Sequence, residues 1–172
     1  MKAFSIFKEI LLFVILVLLQ VLLFNRISIF GFAVLILYIY FLIKLPYGRN
    51  KFYVIVSGFL LGLVIDIFLN TPGMNAAATT IVATFRSVIL NLFYPKNEYE
   101  DFVPSIHGPT AAFVKFVLVM VLLHQTLLFF IEAFTLFNFV STIIRLVSSS
   151  LLTIVLILAL DLLSVGREKI SG

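Results

Sequence analysis

Six apolar runs fill almost the whole chain: 10–24, 30–45, 52–69, 76–94, 111–134 and 139–163. A helix needs about 20 mostly apolar residues to cross ~30 Å of hydrocarbon. The last four runs approach or exceed that length. The first two are short, so they must recruit flanking residues, tilt, or let Lys8 and Lys44 snorkel. With 63% apolar and 12% charged residues, the chain has too little polar surface to coat a soluble core. Period-2 alternation in ~10-residue segments, the mark of a membrane barrel, is not visible. The expectation is an all-α polytopic membrane protein forming one integral domain over 1–172. Its six spans lie at about 8–26, 30–46, 52–70, 74–94, 111–134 and 138–163.

The basic residues are sorted by side rather than clustered, so a sequence pI near 9.5 does not point to nucleic acid. With the N-terminus inside, the inner segments carry Lys2, Lys8, Lys44, Arg49, Lys51, Lys96, Lys115, Arg167 and Lys169, and the outer connections carry Arg26 alone. That bias puts both termini in the cytoplasm. Lys2 and Lys8 ahead of the first run resemble a secretory leader, but no small-residue cleavage site follows, so a retained span is expected. The outer connections 25–29, 70–75 and 135–138 are too short to fold a domain. The inner linker 95–109 carries Glu98, Glu100 and Asp101; it reads as a solvated connector before it reads as a docking site.

The chain has no cysteine, and His107 and His124 lack H-x-x-x-H or E-x-x-H spacing, so no metal site is expected. Neither a nucleophile elbow nor a phosphate-cradling glycine loop is present, and the expectation is no catalytic residue, no cofactor and no enzymatic activity.

A charge at mid-bilayer costs about 2.5–3.5 kcal/mol on insertion scales, so such groups turn inward and pair. Gly58, Gly62, Asp66 and Asn70 recur every four residues and form one helical stripe. Gly58-x-x-x-Gly62 allows close helix approach. Thr71-Pro72-Gly73 reads as a turn into a helix whose small row is Ala76, Thr80, Ala83 and Ser87. The stripe therefore either receives a partner helix or locks the outer end of the bundle. A second row joins Ser141, Arg145, Ser149 and Thr153, and Gln125 and Glu132 share a face of the fifth span. Depth offers Asp66–Arg145 or Glu132–Arg145 as ion pairs, with Arg86 near His124. For Arg86, Arg145, Ser149 and Thr153, interhelical packing ranks ahead of ligand binding, and His124 reads as a satisfied core histidine. Asp161 and Glu9 fall where interfacial water can hydrate them. Gln20, one polar group in a Leu-rich helix, says little.

The pattern G-x-x-x-G-x-x-x-D, followed by a turn glycine and an alanine-rich helix start, resembles the rod shape-determining protein MreD family. The matching positions are Gly58, Gly62, Asp66, Asn70, Gly73, Ala76, Ala77 and Ala78; the stretch around Gln20 and Asn25 and the overall size also fit. The resemblance implies a non-enzymatic multi-pass subunit of the bacterial cell-elongation, peptidoglycan-synthesising machinery in the inner membrane. Its partners would be an MreC-type protein, with MreB and the RodA/transpeptidase synthase in the same assembly. The alternative is the substrate-binding subunit of an energy-coupling-factor transporter, with Asp66, Arg86, His124 and Arg145 converging on an outward-facing pocket for a charged small molecule. Against it, the first run lacks the alanines spaced by four that such subunits present to their coupling partner.

Overall fold

Among the described residues, five helices are long and apolar enough to cross a bilayer, spanning Ile6–Phe24, Lys51–Leu69, Met74–Phe93, Thr110–Glu132 and Val140–Ser164. The protein is an all-α polytopic membrane protein. The computed structural model describes residues 2–24, 28–29, 33–94, 102–133 and 139–164. Arg26, Lys96, Arg167, Lys169 and the acidic patch at Glu98, Glu100 and Asp101 lie outside the described residues, as does the connection 135–138.

Helix α1 (Lys2–Leu19) runs into a π-helical stretch, Gln20–Phe24. After α2 (Tyr40–Lys44) come α3 (Lys51–Leu69), α4 (Met74–Phe93), α5 (Thr110–Ala133) and α6 (Phe139–Ser164), each packed on its predecessor from α4 onward. Large apolar side chains such as Phe52, Ile67, Leu92, Val155 and Leu163 remain exposed on the outside, as a lipid-facing surface requires. Lys8, Glu9, Lys44 and the 102–108 segment meet at one end of the bundle, the basic end.

The second apolar run departs from expectation: 30–46 is not a helix through its length. Strand β1 (Ser28–Ile29) pairs antiparallel with β2 (Ala33–Val34), two residues each. Leu35–Leu37 then continues without regular structure into a turn at Tyr38 and Ile39 and the five-residue α2. The run is apolar because it lies at the centre of the bundle. Ile36 through Ile43 are all nearly inaccessible, with Ile39, Leu42 and Ile43 at 0% exposure. Irregular backbone at membrane depth is tolerated only when protein satisfies its polar groups, and here side chains of α1, α4 and α6 do so.

The linker is also corrected over its described part. Tyr47 N–H donates to the Phe102 carbonyl (2.8 Å), and Lys44 Nζ reaches the Pro104 carbonyl (3.0 Å), so 102–108 docks on the basic end rather than extending into solvent.

Candidate functional site

The candidate site is a set of buried polar side chains at the level of the broken segment. An extended chain repeats every two residues, about 6.6 Å. Four residues of α-helix rise about 6.0 Å. Ser149 and Thr153, four apart on α6, therefore fall in register with alternate peptides of an extended neighbour. Val34 N–H donates to Ser149 Oγ (3.0 Å) and Ile36 N–H to Thr153 Oγ1 (3.2 Å). The intervening peptides are met from α1. The Gln20 amide donates from Nε2 to the Leu35 carbonyl (2.9 Å) and accepts at Oε1 from Leu37 N–H (2.7 Å). It stands in for the peptide of a missing neighbouring strand, at the point where α1 widens into its π-helical turn. Gln20, which the sequence reading set aside, is thus a principal member of the site.

Below the extended stretch, α2 ends at Leu45, held extended (ψ 141°) ahead of Pro46. Its last carbonyls have no helical partner. Arg86, 2% exposed on α4, supplies the donors: Nε to the Leu42 carbonyl (2.5 Å) and Nη2 to the Leu45 carbonyl. It makes no ion pair among the described residues. Arg86 commits these donors to backbone carbonyls, while His124 meets Tyr38.

Asp66 caps α4 from the last turn of α3. Its Oδ1 accepts from Asn75 N–H (3.0 Å), Asn75 Nδ2 (2.9 Å) and Thr71 Oγ1 (2.8 Å), and its Oδ2 from Ala76 N–H (2.8 Å). Two of those donors are backbone amides that a helix start leaves unpaired. The expected Asp66–Arg145 pair is therefore replaced by capping. The glycine groove is occupied by α4 of the same chain: a Cβ on Gly58 would stand 2.9 Å from Ala83 Cβ, and one on Gly62 would stand 2.5 Å from Ala76 Cα. The facing row is Ala76, Thr79 and Ala83; Thr80 is only partly buried and Ser87 is exposed, which corrects the expected row by one position. Asn70 closes α3 in the left-handed conformation (φ 54°) with its N–H on the Asp66 carbonyl. Gly73 opens α4 at φ 79°, where glycine is favoured.

The cap continues inward. Asn75 Oδ1 accepts from Tyr38 OH (2.6 Å), and the same hydroxyl lies 3.2 Å from His124 Nε2. Since the tyrosine proton goes to Asn75, His124 bears its proton on Nε2 and presents Nδ1 as an acceptor with no hydrogen-bond partner among the described residues. Beside it Gln125 donates to Thr153 Oγ1 (3.3 Å), joining α5 to the same α6 ladder. Glu132 and Arg145 form the ion pair that depth suggested (3.3 Å), with the guanidinium 5.4 Å from the centre of the Phe129 ring.

Two acids expected to be hydrated are not. Asp161, 0% exposed, accepts from Tyr40 OH and Lys44 Nζ at 2.8 Å each, Ser105 Oγ at 2.9 Å and Ile106 N–H at 2.7 Å. Glu9 is 7% exposed, paired with Arg49 and accepting from Tyr53 OH (2.9 Å).

A cavity of about 210 Å³ borders this lattice at the end opposite the basic one, bounded by Gln20, Tyr38, Thr71, Asn75, Leu128 and Glu132. No group of three or more His, Asp or Glu side chains among the described residues is arranged to hold a metal ion. Gln20, Asp66, Arg86, Ser149 and Thr153 bind the chain's own backbone: they cap one helix start and one helix end and meet both edges of an extended segment.

Thr153→Val keeps the shape of the side chain and strands two buried donors, Ile36 N–H and Gln125 Nε2. It is expected to cost about 1–3 kcal/mol. Ser148→Ala, which loses only bonds to its own helix at Ile144 and Arg145, should stay within about 0.5 kcal/mol. Thermal unfolding in detergent compares them, and equal shifts would rule out the ladder as a stabilising device.

In comparisons with known proteins, no family model, no curated protein and no solved structure matches the chain.

Proposed function

We propose that the chain is a non-enzymatic, MreD-type subunit of the bacterial cell-elongation machinery in the inner membrane, with both termini in the cytoplasm. It acts by presenting helix surfaces to an MreC-type membrane partner. The observation that carries this reading is the inward commitment of the polar groups. Asp66, Arg86, Gln20, Ser149 and Thr153 all bond their own chain. What remains for a partner is apolar helix surface, including Phe59, Phe85, Val88 and Leu92 on the α3–α4 hairpin. Such an apolar exterior suits helix–helix contact with a membrane partner. The sorting of Lys and Arg supports the orientation, since Lys8, Lys44 and Arg49 belong to one end of the bundle.

One observation favours a second reading. The cavity bounded by Tyr38, Asn75, Gln20 and Glu132 brings a few polar side chains to a concave, mostly apolar surface, as small-molecule sites do, though at about 210 Å³ it is smaller than a typical ligand pocket. This keeps an energy-coupling-factor-type substrate-binding subunit as the alternative.

Affinity purification of the tagged protein in mild detergent, with mass spectrometry of co-eluting proteins and small molecules, separates them. The scaffold reading expects a single-span MreC-type protein. An ATPase pair or a stoichiometric small molecule in its place would overturn it.

A further inference from the structure

The carboxylate of Asp161 divides its bonds between two chain segments. Oδ1 accepts from Tyr40 OH and Lys44 Nζ, both on α2, and Oδ2 accepts from Ser105 Oγ and Ile106 N–H, both in the segment 102–108. One buried side chain on α6 thus holds the inner end of the broken segment with one oxygen and 102–108 with the other. Two further bonds tie the same pair together, from Lys44 Nζ to the Pro104 carbonyl and from Tyr47 N–H to the Phe102 carbonyl. The segment has a shape of its own that does not depend on Asp161. Gly108 N–H reaches back to the Ser105 carbonyl (3.2 Å), and Thr110 Oγ1 to the Ile106 carbonyl (2.9 Å). Phe102 and Ile106 rest on the core. Yet Phe102, Val103, Ser105, His107 and Gly108 also form a wall of a cavity of about 560 Å³ that opens between this segment and α1. A segment backed by space rather than by packed side chains opens at a lower free energy than the core.

We propose that 102–108 is a strap and Asp161 its clasp: when the strap leaves the carboxylate, the cavity opens and α2 loosens in the same step. The coupling follows from the shared side chain. With Oδ2 occupied, the carboxylate is pinned in the orientation that sets Oδ1 against Tyr40 and Lys44. With Oδ2 released it turns about its Cβ–Cγ bond, and both α2 contacts weaken. Coupling of this kind is reciprocal, so weakening the hold of α2 also frees the strap. The basic end thereby gains a lever on the centre of the bundle, because α2 continues the segment that Gln20, Ser149 and Thr153 hold.

Hydrogen exchange with mass spectrometry on the full-length protein in detergent tests the coupling from both sides. Ser105→Ala removes one donor to Oδ2, and exchange should accelerate about tenfold over 102–108 and also over 40–45. Tyr40→Phe removes one donor to Oδ1 and should accelerate the same two regions, with 58–69 of α3 unchanged in both variants. Because the chain has no cysteine, Leu12→Cys on the α1 wall of the cavity reports its opening. Adding Ser105→Ala should raise the maleimide labelling rate of that thiol by a similar factor. Acceleration confined to the mutated segment in either variant would make the two contacts independent and overturn the clasp. Acceleration that extends through 58–69 would mean general destabilisation and overturn it equally. An unchanged labelling rate would show that the strap does not open the cavity.

Discussion

Gly62→Leu is expected to prevent the α3–α4 hairpin from closing and to abolish recovery of monodisperse protein. At this position even a Cβ enters the space of the Thr79 hydroxyl, the Asn75 carbonyl and Ala76 Cα, and two of those three are backbone atoms. A flexible side-chain end can swing aside; the first turn of a helix cannot. Overpacking in well-packed interiors costs about 1–3 kcal/mol, occasionally more. Here relief requires α4 to move off α3, which also pulls Asn75 and Ala76 away from the Asp66 carboxylate. The loss therefore combines steric and capping terms and lies above that range. Gly58→Ala is the graded comparison. Its nearest neighbour is the Ala83 methyl at 2.9 Å, with the Thr79 carbonyl at 3.2 Å, so a small helix shift accommodates it at about 1 kcal/mol. Size-exclusion profiles and thermal unfolding of the two variants check this order. A Gly62→Leu protein that elutes and melts like the parent would refute the close-approach geometry.

That hairpin was legible because its signal is local. Gly58, Gly62 and Asp66 follow one another by four on a single helix, and the turn residues that bring α4 back follow directly. Side-chain partners across the bundle were less legible. Depth offered the Arg145 guanidinium as a partner for Asp66, yet the carboxylate takes its donors from its own hairpin, including the backbone amides of Asn75 and Ala76. Proximity in the chain outranked charge.

The 30–46 run was misread for a different reason. A continuous apolar run says that a segment is surrounded by hydrocarbon, whether lipid or protein, and says nothing about its backbone. Two cues separate the cases. The run's first half is rich in β-branched and aromatic residues (Val34, Ile36, Tyr38), which favour extended structure over helix. The other cue lies elsewhere in the chain, in hydrogen-bonding side chains with no evident partner: Gln20, Arg86, Ser149 and Thr153. A membrane helix satisfies its own peptides and needs none of these. An excess of buried donors and acceptors on neighbouring helices therefore marks an interrupted segment among them.

Arg86 gives the sharpest test of that rule, because its two expected effects have opposite sign. Arg86→Met removes a charge from the middle of α4, so insertion of that helix should become easier by about 2.5–3.5 kcal/mol on insertion scales. Folding should suffer. In a bilayer the separated helices already hold Arg86 below the interface, so assembly regains little of its desolvation cost. Assembly instead provides the Leu42 and Leu45 carbonyls as acceptors, both buried and both beyond the reach of α2's own N–H groups. Each carbonyl left without a donor costs about 1–3 kcal/mol, so the variant should insert better and melt lower. The damage should be local: hydrogen exchange over 39–45 should accelerate, while α5 retains parental protection. Arg86→Lys keeps the charge but lacks the planar fork that reaches two carbonyls at once, and should fall between parent and Met in melting temperature. Unchanged exchange over 39–45 in Arg86→Met would mean that the carbonyls are satisfied without the guanidinium and that the residue is held there for another purpose.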